Sequence, residues 1–438
     1  MKRIKELAIQ FWTLLTAAGP EGQRFRKRMA IILGLIIIGL WVNMVLRANR
    51  GHGSQYDDFT GFSQDLIFDR INIYKEYAFE STSIGKYPPF FGLVYAPVAI
   101  FPLVIGASIW FWFSIVLVVY AGKSVAMGVS RLSGETGQVN PLLWSIPLAL
   151  GSIQIITNLE TAQVNILIFS LVAFAIARFA DKKDVQAGLL LGMATAIKLT
   201  PGLFVVYFAY KGAWRVVLWA AIGGAICWFM VLPVVMGFTY YYDVMQSWVM
   251  MVGSFVSDGA SAEGIAGFRH TNQSLSAAFH RFFTETPAGG GIENFYINIV
   301  RIPHETAGII VKSLNVAILI VLAWICRTPL GDRKDPRLPL ELSLVMIATL
   351  FLSPISWINH YVVMILAFGA AVYYIRAREY QDLNRKMMLQ ALIIAATLIM
   401  VSPRISQAFS LPFFGAVILA VALAKGILRG KKEMIAKE

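Results

Sequence analysis

The chain has 438 residues, of which 57% are hydrophobic and only 14% charged; a soluble globular domain is about a quarter charged, so one soluble core is excluded. Repeated apolar runs of roughly 15 to 22 residues point instead to a polytopic membrane protein. The formal net charge of +13 sits mostly in short loops between those runs, which assigns it to membrane orientation rather than to nucleic acid.

Inside a bilayer every backbone polar group needs an internal partner, so the runs are expected to be helices. They lack the alternation of barrel strands. Lys2, Arg3, Lys5, Arg24, Arg26, Lys27 and Arg28 precede the first span, Met29–Leu46. Residues 1–28 therefore read as a basic, amphipathic cytoplasmic N-terminus, with Ile4–Ala18 suited to the membrane surface. They do not resemble a cleaved signal. Residues 47–88 form a first external loop. Pro88–Phe101 is apolar, short and punctuated by Pro97, a re-entrant pattern. Val104–Tyr120 spans inward to Lys123 and Arg131, and Leu142–Thr157 returns. Asn158–Asn165 is an external turn or a half-buried polar step, and Ile166–Phe179 goes back to Lys182 and Lys183.

Two short segments follow, Val185–Ile197 and Gly202–Tyr210, separated by Lys198-Leu-Thr-Pro201. At about 1.5 Å per residue neither fills a core of roughly 30 Å. Such Pro-broken segments are tolerated where they line a cavity. Val216–Met236 crosses outward, and residues 237–303 form a second long external loop. Ala307–Ile325 spans inward to Arg327, Arg333, Lys334 and Arg337. Leu340–Leu352 and Tyr361–Tyr374 flank the external motif Ser353-Pro-Ile-Ser-Trp-Ile-Asn-His360. Leu392–Met400 and Phe413–Ala424 form a last hairpin around Arg404, and residues 429–438 are a basic cytoplasmic tail. The reading is an all-α membrane domain at 29–428 with about twelve spans, eleven to thirteen, both termini inside and the polar motifs outside. Cys227 and Cys326 fall in expected spans, and no redox compartment follows from them.

The polar motifs define a candidate site. Asp57-Asp58-Phe59 places carboxylates close to a span end, where partial desolvation raises a carboxyl towards useful base strength. The bland reading is a helix cap. Tyr87, before Pro88-Pro89, stands where the chain re-enters the membrane. Gln163 and Asn165 interrupt an apolar run, either to bond across helices or to line a polar cavity. Lys198 either snorkels or meets an anion; it lies on the external side, against the charge rule. Arg269, His270, Asn272 and Gln273 offer donors for phosphate or sugar hydroxyls. Trp357, His360 and Arg404 share the external side. The first loop has no metal-ligand spacing. No P-loop, zincin or nucleophile-elbow motif is present.

The blocks DDFTGF, KYPPFFGLVYAPVAIFPL, ETAQVNILIF, AGLLLGMATAIKLTPGLF, NQSLSAAFHR and LSPISWINHYVVM resemble those of glycosyltransferase family 87. These are polytopic enzymes of the C-type glycosyltransferase fold, and they include polyprenol-phosphate-mannose-dependent mannosyltransferases. The resemblance implies a membrane hexosyltransferase at the cell membrane. Its donor would be a polyprenyl phosphate sugar, typically mannose, and its acceptor a glycolipid or envelope glycan on the external face. It implies inverting, metal-independent transfer without a cofactor. Asp58 would be the general base, with Asp57 the alternative by one position. Lys198, Arg269, His360 and Arg404 would neutralise the leaving phosphate. Tyr87, Gln163, Asn165, His270, Asn272, Gln273 and Trp357 would contact sugar or acceptor. Membrane lipids are the expected surroundings, and no nucleic-acid partner is expected. The competing readings are a secondary transporter and a flippase of lipid-linked glycans. The transporter reading wants coupling residues at the midplane and matching halves, and neither pattern is evident.

Overall fold

A computed structural model describes residues 19–50, 55–76, 87–258, 267–289, 295–377, 382–401 and 403–435. The expected surface helix at Ile4–Ala18 lies outside these residues. Helices of eight or more residues are numbered in chain order, and among the described residues no strand is present.

The first long helix, α1 (Pro20–Asn49), precedes the short α2 (Tyr56–Ser63), which runs into a π-turn at Gln64–Phe68. Next come α3 (Phe91–Ala99) and α4 (Leu103–Leu132). The helices α5 (Leu142–Leu150) and α6 (Ser152–Glu160) meet at a 63° bend, beside Gly151 and one turn after Pro147. They are followed by α7 (Asn165–Ala180), α8 (Asp184–Ile197), α9 (Gly202–Tyr210) and α10 (Trp214–Ala225). A π-segment carries α10 on to Met236. The chain continues through α11 (Phe238–Asp258), α12 (Leu275–Phe283), α13 (His304–Ile325) and α14 (Leu338–Leu352). It ends with α15 (Met364–Arg376, preceded by a 3₁₀ turn at Ile358–Val363), α16 (Asp382–Met400) and α17 (Leu411–Ile435).

Among the described residues seven helices are long and apolar enough to cross a membrane, or eight if α5 and α6 count as one bent span. The helices α7, α8 and α14 are apolar but shorter. The protein is thus an all-α polytopic membrane protein.

Two helices, α14 and α15, form the centre. Nearly every side chain of both is buried, as a helix apolar on all sides requires. By contrast α1 and α13 bury few residues and present Ile, Leu and Val outward. The closest seam is between α8 and α10. A Cβ at Gly188 would stand 2.5 Å from the Val216 carbonyl, and one at Gly192 2.7 Å from the Gly224 nitrogen. Small residues four apart let two backbones meet in this way. The seam fixes how α8 delivers Lys198, which caps its C-terminus.

The far end is stapled by ion pairs. Lys211 bonds Glu341 at 2.8 Å, with both side chains buried, and Tyr207 donates to the same carboxylate at 3.0 Å. Arg333 forks onto Asp184 and covers the Phe179 ring.

Two expectations need correction. The region 237–303 is not one long loop, because α11 occupies its first third. Its buried Tyr241, Val244 and Trp248 recur at helical spacing, a period masked by intervening polar residues. Asp243 of α11 accepts from Asn72 at 2.8 Å and pairs with Lys75, which ties it to the first loop. That loop itself carries α2. Leu142–Thr157 is not one straight span, because the chain bends sharply at Gly151.

Candidate active site

One cavity of about 590 Å³ gathers α2, the turn after α8, α12, α13 and the segment after α14. Its lining includes Gln55, Phe59, Tyr87, Lys198, Thr200, His280, Lys312, Asn315, Ser353, Trp357 and His360.

The carboxylates come from α2. Gln55 and Phe59, one turn apart, both line the cavity. On a helix Asp58 then falls beside that face and Asp57 opposite it. The Asp58 side chain reaches solvent, yet its partly desolvated setting holds the carboxyl above the usual carboxylate range. Asp57 is also raised, first by desolvation and then by the negative charge of Asp58. An aromatic cluster fixes the helix. Phe59 packs edge-on against Phe91 at 5.1 Å and against Tyr87 at 5.9 Å, and Tyr87 stacks on Phe91 at 4.1 Å. The Gln55 N–H donates to the Thr161 carbonyl, which joins α2 to the polar step.

The cationic wall is Lys198. Helix α8 stops there because Pro201 follows and the backbone turns extended. The Lys198 Nζ donates to Asn165 Oδ1 at 3.0 Å and lies 5.7 Å from the Tyr87 ring centre. Among the described residues no carboxylate forms an ion pair with it. Asn165 Nδ2 donates in turn to Gln163 Oε1 and Asn158 Oδ1. Asn158 donates to the Asn359 carbonyl at 2.7 Å. Gln163 and Asn165 are buried, 2% and 4% exposed, and neither lines the cavity. Asn165 holds Lys198 directly, and Gln163 bonds Asn165.

His360 and Trp357 also line the cavity. The Trp357 backbone N–H donates to His360 Nδ1 at 2.9 Å, which leaves the neutral ring's proton on Nε2. This wall is clamped to the segment before α12. Asn272 Nδ2 donates to the Pro354 carbonyl, and Asn272 Oδ1 accepts from the Ser356 N–H. Gln273 N–H donates to the Ser356 carbonyl, and the Tyr361 hydroxyl donates to the Gln273 carbonyl. Asn272 and Gln273 are therefore buried fasteners, not cavity donors. Arg269 and Arg404 are exposed, and His270 half-buried. None of the three lines the cavity: the carbonyls of Phe268, Arg269 and Asn272 turn to Arg281, and Arg404 starts a separate short helix, Arg404–Ala408.

Arg281 was not foreseen. It is fully buried, and its Nη1 donates to the carbonyls of Phe268, Arg269 and Asn272. It holds the segment that holds the His360 wall. The motif LSAAFHRFF shows its apolar face in sequence, but not that an arginine turns inward. His280, also unforeseen, lines the cavity. It stacks on Phe268 at 4.0 Å and meets His304 Nδ1 to Nδ1 at 3.3 Å. Burial, then the neighbouring His304 ring, pushes His280 down to about 4. Lys312 and Asn315 enter from α13. Their signal was legible as polar residues inside an apolar run. Among the described residues no three His, Cys, Asp or Glu side chains gather as a metal site would require.

Fold and cavity together define a polytopic membrane protein with a polar site among its helices, an acid beside one wall and a cation on another. The chain belongs to glycosyltransferase family 87, whose profile matches residues 86–354. It is similar to the polyprenol-phosphate-mannose-dependent alpha-(1-2)-phosphatidylinositol pentamannoside mannosyltransferase of Mycobacterium tuberculosis, 25% identical over 63% of this chain and 55% of the relative. The enzyme of the same name from Mycolicibacterium smegmatis is 27% identical over 64% of this chain and 58% of the relative. A polyprenol-phosphate-mannose-dependent alpha-(1-2)-phosphatidylinositol mannoside mannosyltransferase of that organism is 26% identical over 64% and 59%. The chain thus spans less than two thirds of the length of these relatives. No solved structure matches it.

Proposed function

We propose that this protein is a membrane glycosyltransferase that moves a hexose from a polyprenyl phosphate donor to a lipid-linked or cell-envelope glycan acceptor. The observation that carries the reading is the shared cavity, with the α2 face beside Asp58, the Lys198 ammonium and the His360 ring on its walls. The relatives' dependence on polyprenol-phosphate-mannose makes mannose the first sugar to test.

In this scheme Asp58 removes the proton of an acceptor hydroxyl as its oxygen attacks the anomeric carbon. The new carbon–oxygen bond forms from the face opposite the phosphate, so the configuration inverts. The bond from the anomeric carbon to the phosphate oxygen breaks, and the electron pair leaves with polyprenyl phosphate. Lys198, steered by Asn165, stabilises the charge that develops there. The His360 Nε2 proton is a second donor to the same anion. Phosphate is already a good leaving group, so the scheme includes no general acid and no metal. The N-terminus and tail are cytoplasmic and the cavity opens on the external side, in keeping with the basic turns.

The test is incubation of purified protein with polyprenyl phosphate mannose and candidate glycolipid acceptors, with and without chelator. Mannosyl transfer that persists in chelator supports the scheme. Transfer abolished by chelator, or no transfer from any polyprenyl phosphate sugar, overturns it.

A further inference from the structure

Helix α13 is a wall one helix thick. Gly308, Val311, Lys312 and Asn315 line the cavity, at the i, i+3, i+4, i+7 spacing of one helical face. Its other face exposes Ile309, Val316 and Ile320, each more than half accessible. The cavity and the surrounding lipid therefore meet across this helix.

Three features of the cavity face point to a ligand. Lys312 stands five residues into the apolar run Ala307–Ile325, about 7.5 Å along its axis, where a charge is costly and is kept for function. One turn deeper, the Oδ1 of Asn315 is buried with no hydrogen-bond partner among the described residues. Above both, a Cβ at Gly308 would meet nothing within 4 Å, so a slot is open there. A cation, an orphaned acceptor and a gap, all beside lipid, suit an amphiphile with an anionic head, hydroxyls and a long chain.

We infer that α13 is the donor's side entrance: the lipid phosphate lies against Lys312, a sugar hydroxyl donates to Asn315 Oδ1, and the prenyl chain passes the slot at Gly308. The inference rests on the glycosyltransferase reading and adds three residues that the polar motifs do not contain. The phosphate then has a lysine on each side, Lys198 and Lys312.

Binding of undecaprenyl phosphate to the purified full chain tests this without turnover. The Lys312→Gln variant should weaken binding about tenfold or more, the loss of one charge-assisted bond to phosphate. Lys312→Arg should restore most of it. Undecaprenol, which lacks phosphate, should bind wild type and Lys312→Gln alike. Gly308→Leu, whose side chain enters open space, should fold and should weaken undecaprenyl phosphate more than farnesyl phosphate. Equal affinity of wild type and Lys312→Gln, equal loss of undecaprenol, or no effect of chain length in Gly308→Leu overturns the proposal. Lys312-dependent binding in a protein that transfers no sugar would sink the enzymatic reading and leave the entrance. Transfer with Lys312-independent binding would do the reverse.

Discussion

The Lys198 ammonium donates to Asn165 Oδ1 at 3.0 Å, so the cation on the cavity wall is aimed by a neutral, buried amide and not by a carboxylate. That choice leaves its charge for a ligand. Asn165→Asp supplies a competing anion and should raise the donor KM by more than tenfold, while Asn165→Ala, which frees the lysine and takes a donor from Gln163 and Asn158 without adding a charge, should raise it less. Steady-state kinetics with polyprenyl phosphate mannose checks the order, and equal effects would remove Asn165 from its aiming role.

Asp58 and Asp57 should separate cleanly. Asp58→Asn should lower kcat about 10²- to 10⁴-fold, as loss of a general base does. Asp57→Asn, on the opposite side of α2, should cost less than tenfold. Single-turnover transfer measures both, and the reverse order would move the base by one position.

The same carboxyls set a pH dependence. The folded-state pKa of Asp58 lies above its ordinary 3.8, so kcat/KM should fall on the acid side at a pH above that of a free carboxylate. A raised acid binds its proton more tightly when folded, so stability declines as pH rises from 3.8 through the folded pKa. Asp58→Asn should therefore be as stable as wild type or more so at neutral pH. A lower melting temperature for Asp58→Asn would show that the ionised carboxylate holds structure together.

Far from the cavity, Lys211 and Glu341 form a pair whose side chains are 3% and 0% exposed. Removing one charge strands the other, so Glu341→Gln should destabilise by about 3 to 5 kcal/mol. The fraction that stays folded should transfer sugar at the wild-type rate. Thermal unfolding in detergent with activity per folded molecule checks both, and a selective loss of activity would connect this pair to the site.

What the sequence made legible follows from what short-range chemistry encodes. Apolar runs announced the membrane helices, and Pro201 and Pro354 announced the breaks that expose Lys198 and the His360 wall. The external polar residues were legible as a set, but not their division of labour. Asn272 and Gln273 are as polar as Lys198, and only the packed structure shows that they bond to carbonyls of the chain. Arg269 and Arg404 carry the right charge, but Arg269 stands where Arg281 holds its segment, and Arg404 starts a separate short helix outside the cavity. The helix α11 was missed because Asp243, Gln246 and Ser247 hide a stripe of Tyr241, Val244 and Trp248 that is apolar only when wound.

The seam of Gly188 and Gly192 against α10 has a reach beyond its own contacts. Gly192 precedes Lys198 by six residues on one rigid rod, so any side chain there must pry the two rods apart. A tilt at that point would be levered into a shift of the ammonium. The depth at which this protein holds its positive charge is thus set partly by two missing methyl groups, and family members with bulkier seams should hold that charge elsewhere.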